Sequence, residues 1–328
     1  MQPIVSPKQM LCSTLFLFLL AIGSAPAHAA GPPWRIADGF TTDYEHMTID
    51  VKELAPNVYY LHGSGGNTLA SIGPDGTLLV DTEYAQVVPK MKAKLAEMHA
   101  GPVKFVISTH FHSDHTGGNG LFAADGAIII GSDNCRASML KPAISRLTGL
   151  PVKPPPIANV PTLTFDHHLT LIFNGEEILS FHKEPAHTDG DTIIFFKHAN
   201  VMHLGDVFVN NLYPLIDIHS GGRIDGYFPV IDEALGMMDD KTIVIPGHGP
   251  ITDKKQLKAY RDMLKVVRDR VAAQIAKGAT LEEILATHPS AEYDDQYASN
   301  RVGPEFFVAM LYQSLTGGKR MDYQPPKQ

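Results

Sequence analysis

Between Ser108 and Asn119 the chain places His110, His112, Asp114 and His115 in the spacing His-x-His-x-Asp-His, directly after the apolar run Val103–Ile107. That run reads as a buried β-strand, and Thr116-Gly117-Gly118 as a loop turning into a helix. A loop leaving a strand end can splay neighbouring imidazoles towards one centre, which a helix with this spacing cannot do. His110 and His112 lie two apart, share one face and suit one metal ion. Asp114 and His115 point elsewhere and suit a second. Imidazole nitrogen and carboxylate oxygen are ligands that zinc prefers. A surface loop that merely happens to be rich in histidine explains this clustering far less well.

Three later motifs also sit at expected strand ends. His187 lies in Ala-His-Thr-Asp-Gly-Asp, just before a strand expected at 192–196. Asp206 follows His203-Leu204-Gly205 at the end of the next. His248 stands in Pro-Gly-His-Gly-Pro after Thr-Ile-Val-Ile, where glycines allow the tight turn that presents an imidazole. Each alone is weak, because a lone histidine in a loop is more often structural. In this order behind the first motif, they supply three more ligands for a two-metal site.

This succession, His-x-His-x-Asp-His, then His, Gly-Asp and Gly-His-Gly, resembles the metallo-β-lactamase-fold hydrolases from about Val58 to the helix after His248. The resemblance implies an αββα four-layer sandwich of two mixed β-sheets flanked by helices, with metals at one edge. It implies two zinc ions per chain: His110, His112 and His187 on the first, Asp114, His115 and His248 on the second, and Asp206 bridging. Iron or manganese fits the same ligands. Asp81 would orient ligands without binding metal. The implied chemistry is hydrolysis of an ester, lactone, thioester or amide by hydroxide held at the metals, with Asp114 as catalytic residue orienting it. No serine or cysteine nucleophile is needed.

The details of the ligand set narrow this reading. Well-known zinc β-lactamases of the family carry cysteine or serine where this chain has Asp206, whereas glyoxalase II enzymes and lactonases keep the aspartate. The lysine many of those β-lactamases place just beyond is absent from Val207-Phe208-Val209-Asn210-Asn211. A class B β-lactamase of weak or promiscuous activity is the runner-up. Oxygen-reducing di-iron relatives put glutamate at the position of His112, which argues against redox chemistry. A reading from another class is a catalytically idle periplasmic zinc-binding accessory protein; seven ligands disfavour it, because a structural site needs only four.

Residues 1–29 carry Lys8, an apolar stretch at 10–23 and the small-x-small site Ala27-His28-Ala29, the pattern of a secretory signal peptide. A glutathione thioester is cytosolic, so export weighs against glyoxalase II. The expectation is a periplasmic or secreted protein with a single domain over 30–328, its two halves joined near the proline-rich 151–161 and helices over 254–315. Removing Lys8 with that segment takes the net charge from −8 to −9. With no basic run, nucleic acid and anionic membranes are poor partners, and a small-molecule substrate is expected. Only Cys135 would remain of the two cysteines, so no internal disulfide forms.

Strands are expected at 58–61, 68–72, 77–80, 103–107, 127–130, 169–173, 178–182, 192–196, 201–204 and 242–245. Helices are expected at 87–98, 134–147, 231–238, 254–277, 281–286 and 304–315. This interleaving, with hairpins as well as crossovers, fits a layered α/β protein with mixed sheets. Asn174-Gly175 between two apolar runs is a hairpin signal. The glycine-rich stretch from His62 to Asn67 is expected as a mobile loop over the site, or a plain hairpin. Residues 218–223 would line the pocket, with Arg223 either binding a substrate carboxylate or, the favoured reading, solvated at the surface. His167, His168 and His182 read as surface or strand residues, and Phe208, Tyr213 and Phe228 as an apolar wall or core.

Overall fold

The computed structural model describes residues 43–144 and 151–317. The signal segment 1–29 expected from sequence, and positions 145–147 of the helix expected at 134–147, lie outside these residues. Seven strands form the first sheet, in the order Asp50–Ala55, Val58–His62, Thr68–Gly73, Gly76–Val80, Val103–Ile107, Ile128–Ser132 and Leu163–Phe165. The first four are antiparallel and the last three join parallel. Six strands form the second, in the order His168–Phe173, Glu176–Phe181, Ile193–Phe196, Val201–His203, Ile243–Ile245 and Thr252–Asp253. Only the pair Val201–His203 and Ile243–Ile245 is parallel there.

Side-chain alternation along the strands explains the layering. Leu78 and Val80 join Ile107 and Ile130 from the first sheet against Ile178, Ile194, Phe196 and Ile245 from the second, making the core between the sheets. Leu79 and Val106 face the other way, onto Val88, Met91 and Leu95 of helix Val88–Glu97. The outer face of the second sheet packs on helices Ile224–Met237, Lys254–Ile275 and Pro304–Leu315. The result is the αββα sandwich with two mixed sheets. Strands buried on both faces read as continuous apolar runs, as Leu78-Leu79-Val80 does. Each such side chain contributes about 1.5–3 kcal/mol of burial.

Asn174 and Gly175 both adopt positive φ, 53° and 74°, as a two-residue hairpin turn requires. Other boundaries differ from the sequence reading. The helix expected at 134–147 runs Asp133–Met139, capped by Ser132 Oγ, which accepts from Cys135 N, and it stops ahead of Pro142. The helix expected from 231 begins at Ile224, with Pro229 inside its second turn. Strand Asp50–Ala55 was invisible in the sequence because it is an exposed edge strand without apolar alternation. Among the described residues no helix is long and apolar enough to cross a membrane.

Topology positions the site. The ends of Gly76–Val80 and Val103–Ile107 lead into Asp81 and the His110 loop, while Val201–His203 and Ile243–Ile245 lead into Asp206 and His248. Carboxyl ends of strands from both sheets thus deliver their loops to one edge, the usual crevice of layered α/β proteins.

Candidate metal centre

All seven expected residues meet at that edge. His110, His112, His187 and Asp206 offer donor atoms within 4.8 Å of one another, and so do Asp114, His115 and His248. Asp206 stands between the groups: Oδ2 lies 3.6 Å from His187 Nε2 and 3.5 Å from His248 Nε2, and Oδ1 lies 3.2 Å from His115 Nε2. Asp114 Oδ2 lies 3.2 Å from His248 Nε2.

Neighbouring acceptors fix which ring nitrogen faces the centre. Asp81 accepts from Thr109 N and Thr109 Oγ1, both at 2.7 Å, and from His115 Nδ1 at 2.7 Å. Because the Thr109 hydroxyl proton goes to Asp81, its oxygen accepts from His110 Nδ1 at 3.0 Å. His187 Nδ1 donates to Leu215 O at 2.6 Å, and His112 Nε2 to Asp217 Oδ2 at 3.0 Å. The opposite nitrogens then carry lone pairs, and they converge: His112 Nδ1 lies 3.1 Å from His110 Nε2 and 3.0 Å from His187 Nε2. Three ring nitrogens facing one another make a site for a cation; at His112 burial is outweighed by the bond to Asp217, which raises the pKa, so a metal there competes with a proton. Asp206 Oδ1 is likewise buried without a hydrogen-bond donor. This donor set fits a divalent metal.

The charges agree. Burial, with His115 and His187 nearby, holds His110 well below the usual histidine pKa; burial takes His187 down to about 4. Both stay neutral, as ligands must. Burial opposes charge at His248 too, but Asp206 and Asp114 outweigh it and raise it to about 9. Burial would raise Asp217, yet its bond to His112 takes it down to about 2. Asp217 was missed in the sequence, since a lone aspartate 105 residues from His112 carries no local signal. Replacing it with alanine frees the His112 ring and is expected to weaken metal affinity roughly 10- to 100-fold, measured by competition with a chromophoric chelator.

The other loops are held from beneath. Asn67 donates from Nδ2 to Pro246 O at 2.8 Å and to Gly249 O at 2.9 Å, bracketing His248. Buried His203 donates from Nε2 to Asn67 O at 3.0 Å and accepts from Gly205 N at 3.1 Å, steadying the turn that carries Asp206. The stretch His62–Asn67 corrects the expectation of a mobile cover: Gly66 N donates to Asp114 O at 2.9 Å and Asn67 N to Gly247 O at 2.8 Å, wedging it beside His115. Ser64 N donates to Glu83 Oε2 at 2.6 Å, while Glu83 Oε1 is buried without a partner.

Burial pushes the Glu83 carboxyl up to about 7. The folded state therefore binds a proton more tightly than the unfolded one, and stability falls as pH rises from the ordinary glutamate range through about 7. Glu83→Gln keeps an acceptor for Ser64 and removes that loss. In chelator-treated protein it is expected to be more stable than the parent at pH 8, by on the order of 2–3 kcal/mol, with the gain vanishing at pH 4. Denaturant titrations at the two pH values check this.

Beside the centre opens a cavity of about 380 Å³. Its lining includes His112, Asp114, Asp206, Asp217 and His248 of the centre together with the apolar Phe111, Met139, Val209, Leu212 and Leu215. Tyr213 lines it while stacked on Phe307, whereas Phe208 and Phe228 belong to the core. Arg223 is exposed, lies 3.9 Å from Glu184 and does not line the cavity; the reading of a solvated arginine stands. His167 and His168 are exposed, and His182 holds Asp191 O through Nδ1 at 2.8 Å; none joins the donor groups. Cys135 is fully buried with its thiol pKa pushed up by burial, so it is no nucleophile.

Known proteins place this geometry. The profile described as Metallo-beta-lactamase superfamily matches residues 51–248. A 2,4-dinitroanisole O-demethylase subunit alpha of Nocardioides sp. (strain JS1661) is 25% identical over 79% of this chain and 77% of its own length. A metallo-beta-lactamase type 2 of Bacillus sp. (strain 170) is 23% identical over 67% of this chain and 84% of its own. Among solved structures, DIM-1 metallo-beta-lactamase superposes with a TM-score of 0.54 at 18% identity, over 66% of this chain and 97% of that one. A variant of the sec-alkyl sulfatase PisA1 gives 0.63 at 18% identity, over 85% of this chain and 52% of that one. With a profile that spans both donor groups and a fold that brings them face to face, this chain belongs to the metallo-beta-lactamase superfamily.

Proposed function

We propose that the protein is an exported dinuclear zinc hydrolase that cleaves an ester, lactone, thioester or amide of a small molecule. The observation that carries this reading is Asp206, set between two donor groups whose tautomers are fixed from behind. His110, His112 and His187 would hold one ion, Asp114, His115 and His248 the other, and Asp206 both. Such ions, when bound, supply Lewis acidity that acidifies water and stabilises charge building on an attacked carbonyl.

The chain's own residues supply the rest. Burial would raise the Asp114 carboxyl, but His115 and His248 overcome it and hold the group far below the usual carboxylate range. Asp114 therefore stays ionised and accepts a hydrogen bond from the attacking water, which orients it. Phe111, Val209 and Leu212 give the same cavity apolar lining. The pattern of residues 1–29 supports export, and the net charge of −8 disfavours nucleic acid as a partner. The relatives include an O-demethylase subunit, a metallo-beta-lactamase and an alkyl sulfatase, so kinship alone selects no substrate.

The test is hydrolysis of a chromogenic cephalosporin and a panel of nitrophenyl esters, thioesters and lactones, by zinc-loaded and chelator-stripped protein. Turnover of one carbonyl class at roughly 1 per second or more, lost on stripping and restored by zinc, is the expected result. If the cephalosporin alone is turned over at that rate, the protein is a β-lactamase despite Asp206. Tight zinc binding without turnover of anything would overturn the hydrolase reading.

A further inference from the structure

The two donor groups are braced from different parts of the chain. His115 is held by Asp81, and the turn carrying His248 by Asn67 and Asn210. Asn210 N donates to His248 O at 2.9 Å and its Nδ2 to Pro250 O at 2.8 Å. Behind the other group, one segment serves two ligands. Leu215 O accepts from His187 Nδ1 and Asp217 Oδ2 from His112 Nε2, while Asp217 N donates to His187 O at 2.8 Å. Residues 213–217 belong to no strand or helix, so no ladder or helical turn fixes where these acceptors stand.

What fixes them lies beyond the stretch matched by the superfamily profile, which ends at His248. Tyr213 N donates to Tyr297 O at 2.7 Å and its hydroxyl to Asp294 Oδ1 at 2.6 Å, with its ring stacked on Phe307, 4.3 Å between centroids. Ile216 N, between the two acceptors, donates to Met310 Sδ at 3.4 Å, and Ile224 N donates to Ser314 Oγ at 3.0 Å. Met310 and Ser314 stand one turn apart on helix Pro304–Leu315 and take hold of the segment on either side of Asp217. A thioether is a weak acceptor, yet Ile216 and Met310 are both fully buried, where an N–H left without a partner is costly.

We infer that helix Pro304–Leu315 is a positioning element of the metal centre. Met310 and Ser314 set where Leu215 O and Asp217 stand, and through them the aim of the His187 and His112 rings. The helix therefore serves the ion that His110, His112 and His187 would hold, and not the one assigned to Asp114, His115 and His248. Ligands must be kept within about 0.5 Å of their place for full affinity, so a slackened segment is felt at the metal. This rests on the two-ion part of the proposed function and not on hydrolysis.

Two backgrounds that each keep one donor group test it. His248→Ala retains His110, His112 and His187, and His110→Ala retains Asp114, His115 and His248; zinc affinity is read in each by competition with a chromophoric chelator. Adding Met310→Leu and Ser314→Ala together is expected to weaken zinc on the order of tenfold in the first background and to leave it within about twofold in the second. A helix that merely stabilises the fold would affect both alike. Equal weakening in the two backgrounds, no weakening in the first, or weakening confined to the second overturns the proposal. Should the pair of substitutions prevent folding, Met310→Leu alone decides by the same comparison, since it keeps the packing volume and removes the acceptor. Selective weakening in a protein that cleaves none of the panel sinks the hydrolase reading and leaves the brace standing. A parent that binds no zinc removes the metal centre and the brace with it.

Discussion

Replacing Asp206 with alanine is expected to lower turnover by about 10²- to 10³-fold and to leave less than a full complement of metal. Three close approaches argue for so large an effect. The Asp206 oxygens lie 3.2, 3.5 and 3.6 Å from His115, His248 and His187, so this one carboxylate touches both donor groups. It is also held well below the usual carboxylate range: burial opposes ionisation, and His248 and His115 outweigh it. Alanine removes a negative charge from the centre and a side chain that approaches both donor groups. Loss of preorganised electrostatics at such a position costs roughly 3–4 kcal/mol in activation energy. Metal analysis of the purified variant, alongside kcat on the best substrate of the panel, is the check. Unchanged turnover and metal content would remove Asp206 from the bridging position.

Gly66→Ala is expected to be comparably damaging although Gly66 is no ligand. A Cβ built there falls 2.1 Å from His115 Cε1 and 2.4 Å from its Nδ1, closer than atoms can approach. The ring cannot retreat, because Asp81 holds Nδ1 at 2.7 Å and the pair is fully buried. Nor can the glycine, whose N–H is tied to Asp114 O at 2.9 Å. The clash must shift His115 or the wedge itself, at a cost of roughly 1–3 kcal/mol in stability, with loss of most zinc affinity. Thermal denaturation with and without zinc separates the two effects: zinc is expected to stabilise the parent by mass action, and the variant to show little of that gain. A variant that zinc stabilises as strongly as the parent would show that His115 keeps its place.

Gly66 also marks where sequence reasoning stops. The glycines of residues 62–67 are plain in the sequence, and glycine there suggests mobility. Packing gives the actual reason, clearance for an imidazole from a loop some fifty residues later. Arginine poses the same problem. Arg223 follows the Asp206 motif closely enough to suggest a role in the pocket, yet it is exposed beside Glu184. Arg301 stands in no motif, and the turn before the last helix brings it to the cavity.

The sequence by itself determined the donor types, their order and their attachment to strand ends. Those are local properties: an apolar run fixes a strand, and a histidine-rich turn at its end fixes what that strand delivers. The layered sheet arrangement was legible too, through continuous apolar runs such as Leu78-Leu79-Val80, which mark strands covered on both faces. Only the tertiary structure decided what stands behind each ligand. Asp217 reaches His112, Leu215 O reaches His187, Asn67 braces the His248 turn more than a hundred residues away, and His203 ties Asn67 to the Asp206 turn. Such partners are single polar atoms, chosen by the crossing of two sheets and unmarked by any periodicity. Acceptors behind the rings, Thr109 at His110, Asp217 at His112 and Leu215 O at His187, then turned the opposite nitrogens towards one point, where a metal fits.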